Sequence, residues 1–231
     1  GGLLTGLTDP RQNGYSFEYD HLGRLTKDSD PAGGFKELVR SEEDRGTNVF
    51  VQVTTAEGRV TGYRDRLLVS GEQRRITAFP TGQATYATYG LDASTQVTYP
   101  DQTVVLSRAA PDPRFGMQAP LVSQYTLSTP DGLVYDRQAS RETSLLDEDP
   151  FKPTVTDTVS INGREYSRVY EHSTRTWILS TPEGRQASLQ LDEQGRPVLS
   201  SLLGSTLEPV SYGYDAQGRL EHISQGSGAQ E

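Results

Sequence analysis

The amino-acid sequence predicts an all-β protein, a curved antiparallel sheet of β-hairpins, on three observations. Apolar and polar residues alternate in stretch after stretch. In Thr154-Val155-Thr156-Asp157-Thr158-Val159-Ser160-Ile161 one face reads Val, Asp, Val, Ile and the other is entirely Thr or Ser. Turn formers separate these stretches at short intervals, the spacing of meandering antiparallel structure. Two nearly identical strings lie close to the two ends: Phe17-Glu18-Tyr19-Asp20-His21-Leu22-Gly23-Arg24-Leu25 and Tyr212-Gly213-Tyr214-Asp215-Ala216-Gln217-Gly218-Arg219-Leu220. Both read aromatic-x-Tyr-Asp-x-x-Gly-Arg-Leu, and a recurring unit points to a repeat architecture before any single-site chemistry is weighed.

The motif describes a strand end, a turn and the next strand start. Phe17 and Tyr19, like Tyr212 and Tyr214, are spaced i, i+2 and project from one face of a strand. Asp20 and Asp215 accept hydrogen bonds from backbone N–H groups just beyond them, the local bonding that makes Asp a turn former. Gly23 and Gly218 supply the positive φ of a tight hairpin. Arg24-Leu25 and Arg219-Leu220 begin the returning strand. These residues are predicted to be scaffold, the aromatics packing on the sheet and the Asp and Arg serving as turn and cross-strand partners.

Degenerate copies fall between. Ala56-Glu57-Gly58-Arg59-Val60, Pro182-Glu183-Gly184-Arg185 and Glu193-Gln194-Gly195-Arg196 keep the Gly-Arg end. Pro80-Thr81-Gly82, Pro130-Asp131-Gly132 and Pro100-Asp101-Gln102 suggest a second turn type, with proline presetting φ at the first central position. Asp9-Pro10 and Asp30-Pro31-Ala32-Gly33-Gly34 extend that set. Asn162-Gly163 is the strongest single hairpin signal, since a two-residue type I′ turn needs positive φ at both positions. Phe35, Leu38 and Val39 have helical spacing, but a strand running into a turn at Asp44-Arg45-Gly46 is preferred, with Val49 to Val53 pairing back. The proline-rich Ala109–Pro120 and the acidic 147–153 segment are expected as long loops, because breakers replace alternation in both. Residues 1–225 are thus expected to form one repeat region, and 226–231 a flexible tail.

Composition narrows the class. Of 231 residues only 33% are hydrophobic, which suits a sheet with a solvated face. Twelve Tyr and six Phe argue against disorder. The net charge of −9 disfavours nucleic acid as a partner. With no cysteine, disulfides and thiolate zinc sites are excluded. No apolar run is long enough to span a bilayer as a helix. The chain opens Gly1-Gly2-Leu3 without an initiator Met, and is expected to be a piece of a longer protein.

No catalytic, cofactor or metal residues are assigned. Phosphate loops with Lys, GxSxG elbows and HExxH helices are absent from the sequence. His21, His172 and His222 are too scattered to indicate a metal site. Asp147-Glu148-Asp149 and Asp28-Ser29-Asp30 lack the ligand spacing and glycine of a calcium loop and are expected as solvated loop charge.

The repeated string closely resembles the tyrosine-aspartate (YD) repeat of the Rhs proteins, the teneurins and the shell components of insecticidal Tc toxins. The resemblance is strongest at 3–34 and 205–225, and weaker through 47–107 and 121–201. It implies a segment of a spiral β-shell that encapsulates or presents a C-terminal toxin or effector, in a secreted or cell-surface protein. Implied partners are the rest of the parent polypeptide and that enclosed region. The alternative is a teneurin-like adhesion or carbohydrate-binding module, for which the Tyr-rich strands around Trp177 are the motive; an enzyme has the least support. The family's autoproteolytic core is not recognisable: Asp112-Pro113-Arg114-Phe115-Gly116 has an extra residue relative to its Asp-Pro-x-Gly element, so no catalytic aspartate is assigned.

Overall fold

The computed structural model describes residues 2–226 and 228–230. Among these there is no α-helix. Two compact units are distinguished, Gly1–Leu106 with Leu127–Leu133, and Ser107–Thr126 with Val134–Glu231.

The first unit contains β1 (Gly6–Thr8), β2 (Gly14–Tyr19), β3 (Leu25–Ser29), β4 (Phe35–Glu43), β5 (Asn48–Thr55), β6 (Val60–Leu67), β7 (Gln73–Ala78), β8 (Ala84–Tyr89), β9 (Ser94–Thr98) and the start of β10 (Val104–Asp112). Each of β1 to β8 pairs antiparallel with its successor in the chain. The stretch from Phe35 is strand, as preferred: Leu38, Arg40 and Glu42 face Val53, Val51 and Val49, and a short 3-10 turn at Asp44–Gly46 joins the two strands.

The second unit contains the rest of β10, most of β11 (Gly116–Ser128), and β12 (Val134–Leu145), β13 (Pro153–Ile161), β14 (Arg164–Glu171), β15 (Thr176–Ser180), β16 (Gln186–Leu191), β17 (Pro197–Leu203), β18 (Val210–Tyr214), β19 (Leu220–Gln225) and β20 (Gly228–Gln230). From β12 onward the pairing again follows chain order. The Asn162-Gly163 bend has φ of 49° and 79°, the two positive values a type I′ turn requires.

Two expectations are corrected. Ala109–Pro120 is not a long loop: β10 runs to Asp112 and β11 starts at Gly116, leaving only Pro113–Phe115 as turn. Proline keeps the extended φ of a strand and loses only one donor, so Pro111 and Pro120 weaken the ladder without ending it. The loop expected at 147–153 lies one residue earlier, at 146–152, with a 3-10 turn at Leu146–Glu148 and Pro153 opening β13. Of the tail expected at 226–231, Ser227 and Glu231 lie outside the described residues, while Gly228–Gln230 pairs with β19 as a strand.

Buried positions are few among the described residues. They are Val155, Pro153 and Gly62, with the polar Asn48, Asp112 and Asp157. The low hydrophobic content has this structural counterpart: most side chains on the sheet are half-exposed or exposed.

Candidate functional site: repeated Asp–Arg turns and a buried ion network

One bend geometry recurs throughout. The N–H of the first residue donates to the carbonyl four residues on, and the N–H three residues on donates back to the first residue's carbonyl. This pair closes the bends that begin at Asp9, Asp20, Asp30, Thr55, Leu68, Phe79, Tyr99, Thr129, Thr181, Asp192 and Asp215. The fourth residue of every one has positive φ, from 66° at Gln12 to 89° at Gly71. It is a three-residue hairpin loop whose left-handed residue forms a G1 bulge. The Pro-x-Gly bends at 80–82 and 130–132 and the Pro-Asp-Gln bend at 100–102 therefore share the backbone geometry of the Asp-x-x-Gly bends, and the expected second turn type is not distinct.

Three bends carry the full Asp–Arg clamp. Asp20 Oδ1 accepts the N–H groups of Leu22 and Arg24, both at 2.9 Å, while Arg24 Nε donates to Oδ2 at 2.8 Å. Asp215 repeats this with the N–H groups of Gln217 and Arg219, at 3.0 and 2.8 Å, and with Arg219 Nε at 2.8 Å. Asp192 does the same with Gln194 and Arg196. In each case the register shifts by one residue just before the Asp, at Glu18/Tyr19, Gln190/Leu191 and Gly213/Tyr214. Where Thr replaces Asp, at 55, 129 and 181, its hydroxyl accepts a single N–H.

The backbone N–H and guanidinium of Arg24 hold the Asp20 carboxyl down at about 2. The equivalent bonds from Arg196 and Arg219 lower Asp192 and Asp215.

The motif tyrosines tie bends to other segments of the chain. Tyr19 Oη donates to the carbonyl of Leu4, and Tyr214 Oη to that of Pro197, both at 2.8 Å. The Arg196 guanidinium lies 4.4 Å from the Tyr214 ring, so one clamp packs on the aromatic of the next motif. Phe17 faces Asp28 across β3, Tyr212 faces Ile223 across β19, and Leu25 and Leu220 pair with Tyr19 and Tyr214.

A second ionic arrangement is not evident from the motif. Arg141 donates from Nε and Nη2 to the two oxygens of Asp157, at 2.6 and 2.9 Å, and from Nη1 to Asp112 at 3.0 Å. Arg168 Nε donates to Asp157 at 2.8 Å, and the backbone N–H of Arg114 donates to Asp112 at 2.8 Å. Both carboxylates are buried, Asp112 at 3% exposure and Asp157 at 8%. Burial pushes Asp112 up, but the bonds from Arg114 and Arg141 outweigh it and hold the carboxyl at about 2. Burial likewise opposes the guanidinium bonds that lower Asp157. Arg141 is raised by its bonds to Asp157 and Asp112. Cation–aromatic contacts extend the network, with Arg168 4.9 Å from the Trp177 ring and Arg114 4.9 Å from that of Phe115. The sequence signal for it was the lone Asp157 on the otherwise apolar Val155, Val159, Ile161 face.

Nothing in this geometry assembles a metal cage. Among the described residues no group of three or more His, Asp or Glu side chains is placed to hold an ion. His21 sits in the Asp20 bend, His172 packs edge-on to Tyr170 and His222 faces Gly213 across the strand pair. No described helix is long and apolar enough to cross a membrane.

Comparison with known proteins identifies the class. The Teneurin YD-shell family matches residues 1–231, and the chain belongs to that family. No curated protein matched the sequence. Among solved structures, similarity is found to the crystal structure of TcdB2-TccC3-Cdc42, with 11% identity over 94% of this chain and 16% of that one, at a TM-score of 0.23. TcdB2-TccC3 alone gives 11% identity over 96% of this chain and 18% of that one, at 0.16. The TCP10 domain of Danio rerio CPAP in complex with a STIL peptide gives 15% over 85% and 97%, at 0.19. The chain thus spans less than a fifth of the TcdB2-TccC3 chains, and the assignment rests on the family match.

Proposed function

We propose that this chain is a structural segment of a longer YD-repeat polypeptide, part of a β-shell that surrounds or presents a C-terminal toxin or effector region. Its work is architectural rather than catalytic. The observation that carries the reading is the repetition of one clamp at Asp20, Asp192 and Asp215 with the same bonds each time. Membership of a YD-shell family supports the shell role. The enclosed region and the remainder of the parent chain are the expected partners, and the secreted or cell-surface setting follows the same family reasoning.

Limited proteolysis of the intact parent polypeptide tests this. The region following the shell should resist cleavage until the shell itself is cut. Cleavage of that region at the rate seen in a denatured control would refute enclosure.

A further inference from the structure

The face of the second unit that carries Val155 presents side chains in rows across its strands. Ala139, Val159 and Tyr166 form one row. Arg141, Asp157, Arg168 and Leu179 form the next, and Thr143, Val155, Tyr170 and Trp177 the third. Consecutive rows lie two residues apart along each strand, about 6.6 Å. The ionic row is therefore a ridge between two hollows. One, of about 570 Å³, is walled by Val159, Tyr166 and Leu179. The other, of about 440 Å³, is walled by Phe151, Tyr170 and Trp177. Apolar surface stays in water in both, with Leu179 43% and Phe151 76% exposed. The ridge and the turn at Asp112–Arg114 bonded to it hold a surplus of positive charge: Arg114, Arg141 and Arg168 share the carboxylates of Asp112 and Asp157. Arg168 is the least covered of the three, its side chain 53% exposed.

We infer that this face binds an extended peptide segment whose alternate side chains read apolar, acidic, apolar. Side chains i, i+2 and i+4 of a strand share one face at the same spacing of about 6.6 Å. A carboxylate placed on Arg168 thus sets its two apolar neighbours over the two hollows. The charge-assisted bond to the guanidinium supplies orientation, and the ring-lined hollows supply buried apolar area. Arg168 is already bonded to Asp157, so a segment with a neutral centre would fit the same hollows but forgo a further charge-assisted bond and leave the net positive charge unanswered. The inference concerns a surface of the chain itself and stands whether or not the parent encloses a C-terminal region.

Trp177 is the single tryptophan and sits in the third row, so its fluorescence reports occupancy directly. The probe is acetyl-Ser-Leu-Thr-Glu-Thr-Phe-Ser-amide, titrated into the full chain. A saturable change is expected, with the Glu→Gln version of the peptide binding at least about tenfold more weakly. Arg168→Gln and Phe151→Ser, checked for native circular dichroism, should each weaken the acidic peptide by a similar factor. Phe151 is largely exposed, and Asp157 keeps both bonds from Arg141 when Arg168 is replaced by a glutamine that can still donate, so either change should leave folding intact; should one fail to fold, the two peptides on the unaltered chain still decide. Equal affinity for the two peptides, or no saturable change at about 1 mM, would overturn the inference. Concentration-dependent self-association that abolishes the response would also overturn it, by assigning the face to a second copy of the chain.

Discussion

Replacing Arg141 by Met is the most demanding test of the buried ion network. The substitution retains an unbranched side chain in β12 but removes three charge-assisted bonds at once, two to Asp157 and one to Asp112. Breaking a buried pair by deleting one partner costs about 3–5 kcal/mol, because the other charge is left uncompensated. Here each carboxylate keeps one cation, Arg168 for Asp157 and Arg114 for Asp112, so the lower end, about 3 kcal/mol, is expected. At a denaturant slope of about 2 kcal/mol/M the urea midpoint would fall by about 1.5 M. Trp177 lies in the same unit and is the natural optical probe for the transition. Arg141→Lys should fall between Met and the unaltered chain, since an ammonium keeps the charge but not the two-pronged geometry.

The dependence on pH supplies a further check of the same reasoning. The Asp112 carboxyl is held at about 2, below the usual 3.8. A depressed carboxyl stabilises the fold fully above its unfolded value, and that contribution is lost as pH falls through the folded one. The deficit of Arg141→Met should therefore shrink between about pH 4 and pH 2. A loss below about 1 kcal/mol at neutral pH, or a deficit unchanged on acidification, would show that the network is not the buried ionic unit described.

Other outcomes follow from the bends. Gly23→Ala and Gly218→Ala place a Cβ at φ of 78° and 80° and should each cost about 1 kcal/mol in urea unfolding, whereas Gly14→Ala, in an open strand position, should be neutral. Asn162→Ala removes both a residue suited to positive φ and the bond from the Asp136 N–H to its side chain, and should cost about 1–2 kcal/mol, with Asn162→Gly milder. Tyr214→Phe deletes the hydroxyl bonded to the Pro197 carbonyl and should lower stability by about 1 kcal/mol, with normal circular dichroism. Asp20→Asn should lower the melting temperature at neutral pH, and the difference should fade as pH falls from about 4 towards 2, through the depressed value of the native carboxyl.

What the amino-acid order determined by itself is the local grammar. Alternation with period two shows in residues adjacent along the chain, and bends are closed by groups no more than four positions apart, so the strands, the Asn162-Gly163 turn and the Asp20 and Asp215 clamps were all legible. The strand from Phe35 was recoverable for the same reason, despite its helical spacing. Tertiary structure decided what depends on distant partners. Asp112 and Arg141 are 29 positions apart, and Arg141 and Asp157 are 16, so no local pattern announces their meeting. Asp157 was visible only as an anomaly on an apolar face. Ala109–Pro120 was misjudged on the same principle: proline content forecasts a broken ladder, but whether a missing N–H matters depends on what the register puts opposite it. The unity of the turns was hidden for the reverse reason, because Asp, Thr, Leu, Phe and Tyr can all begin the same bend when its closing bonds come from the backbone.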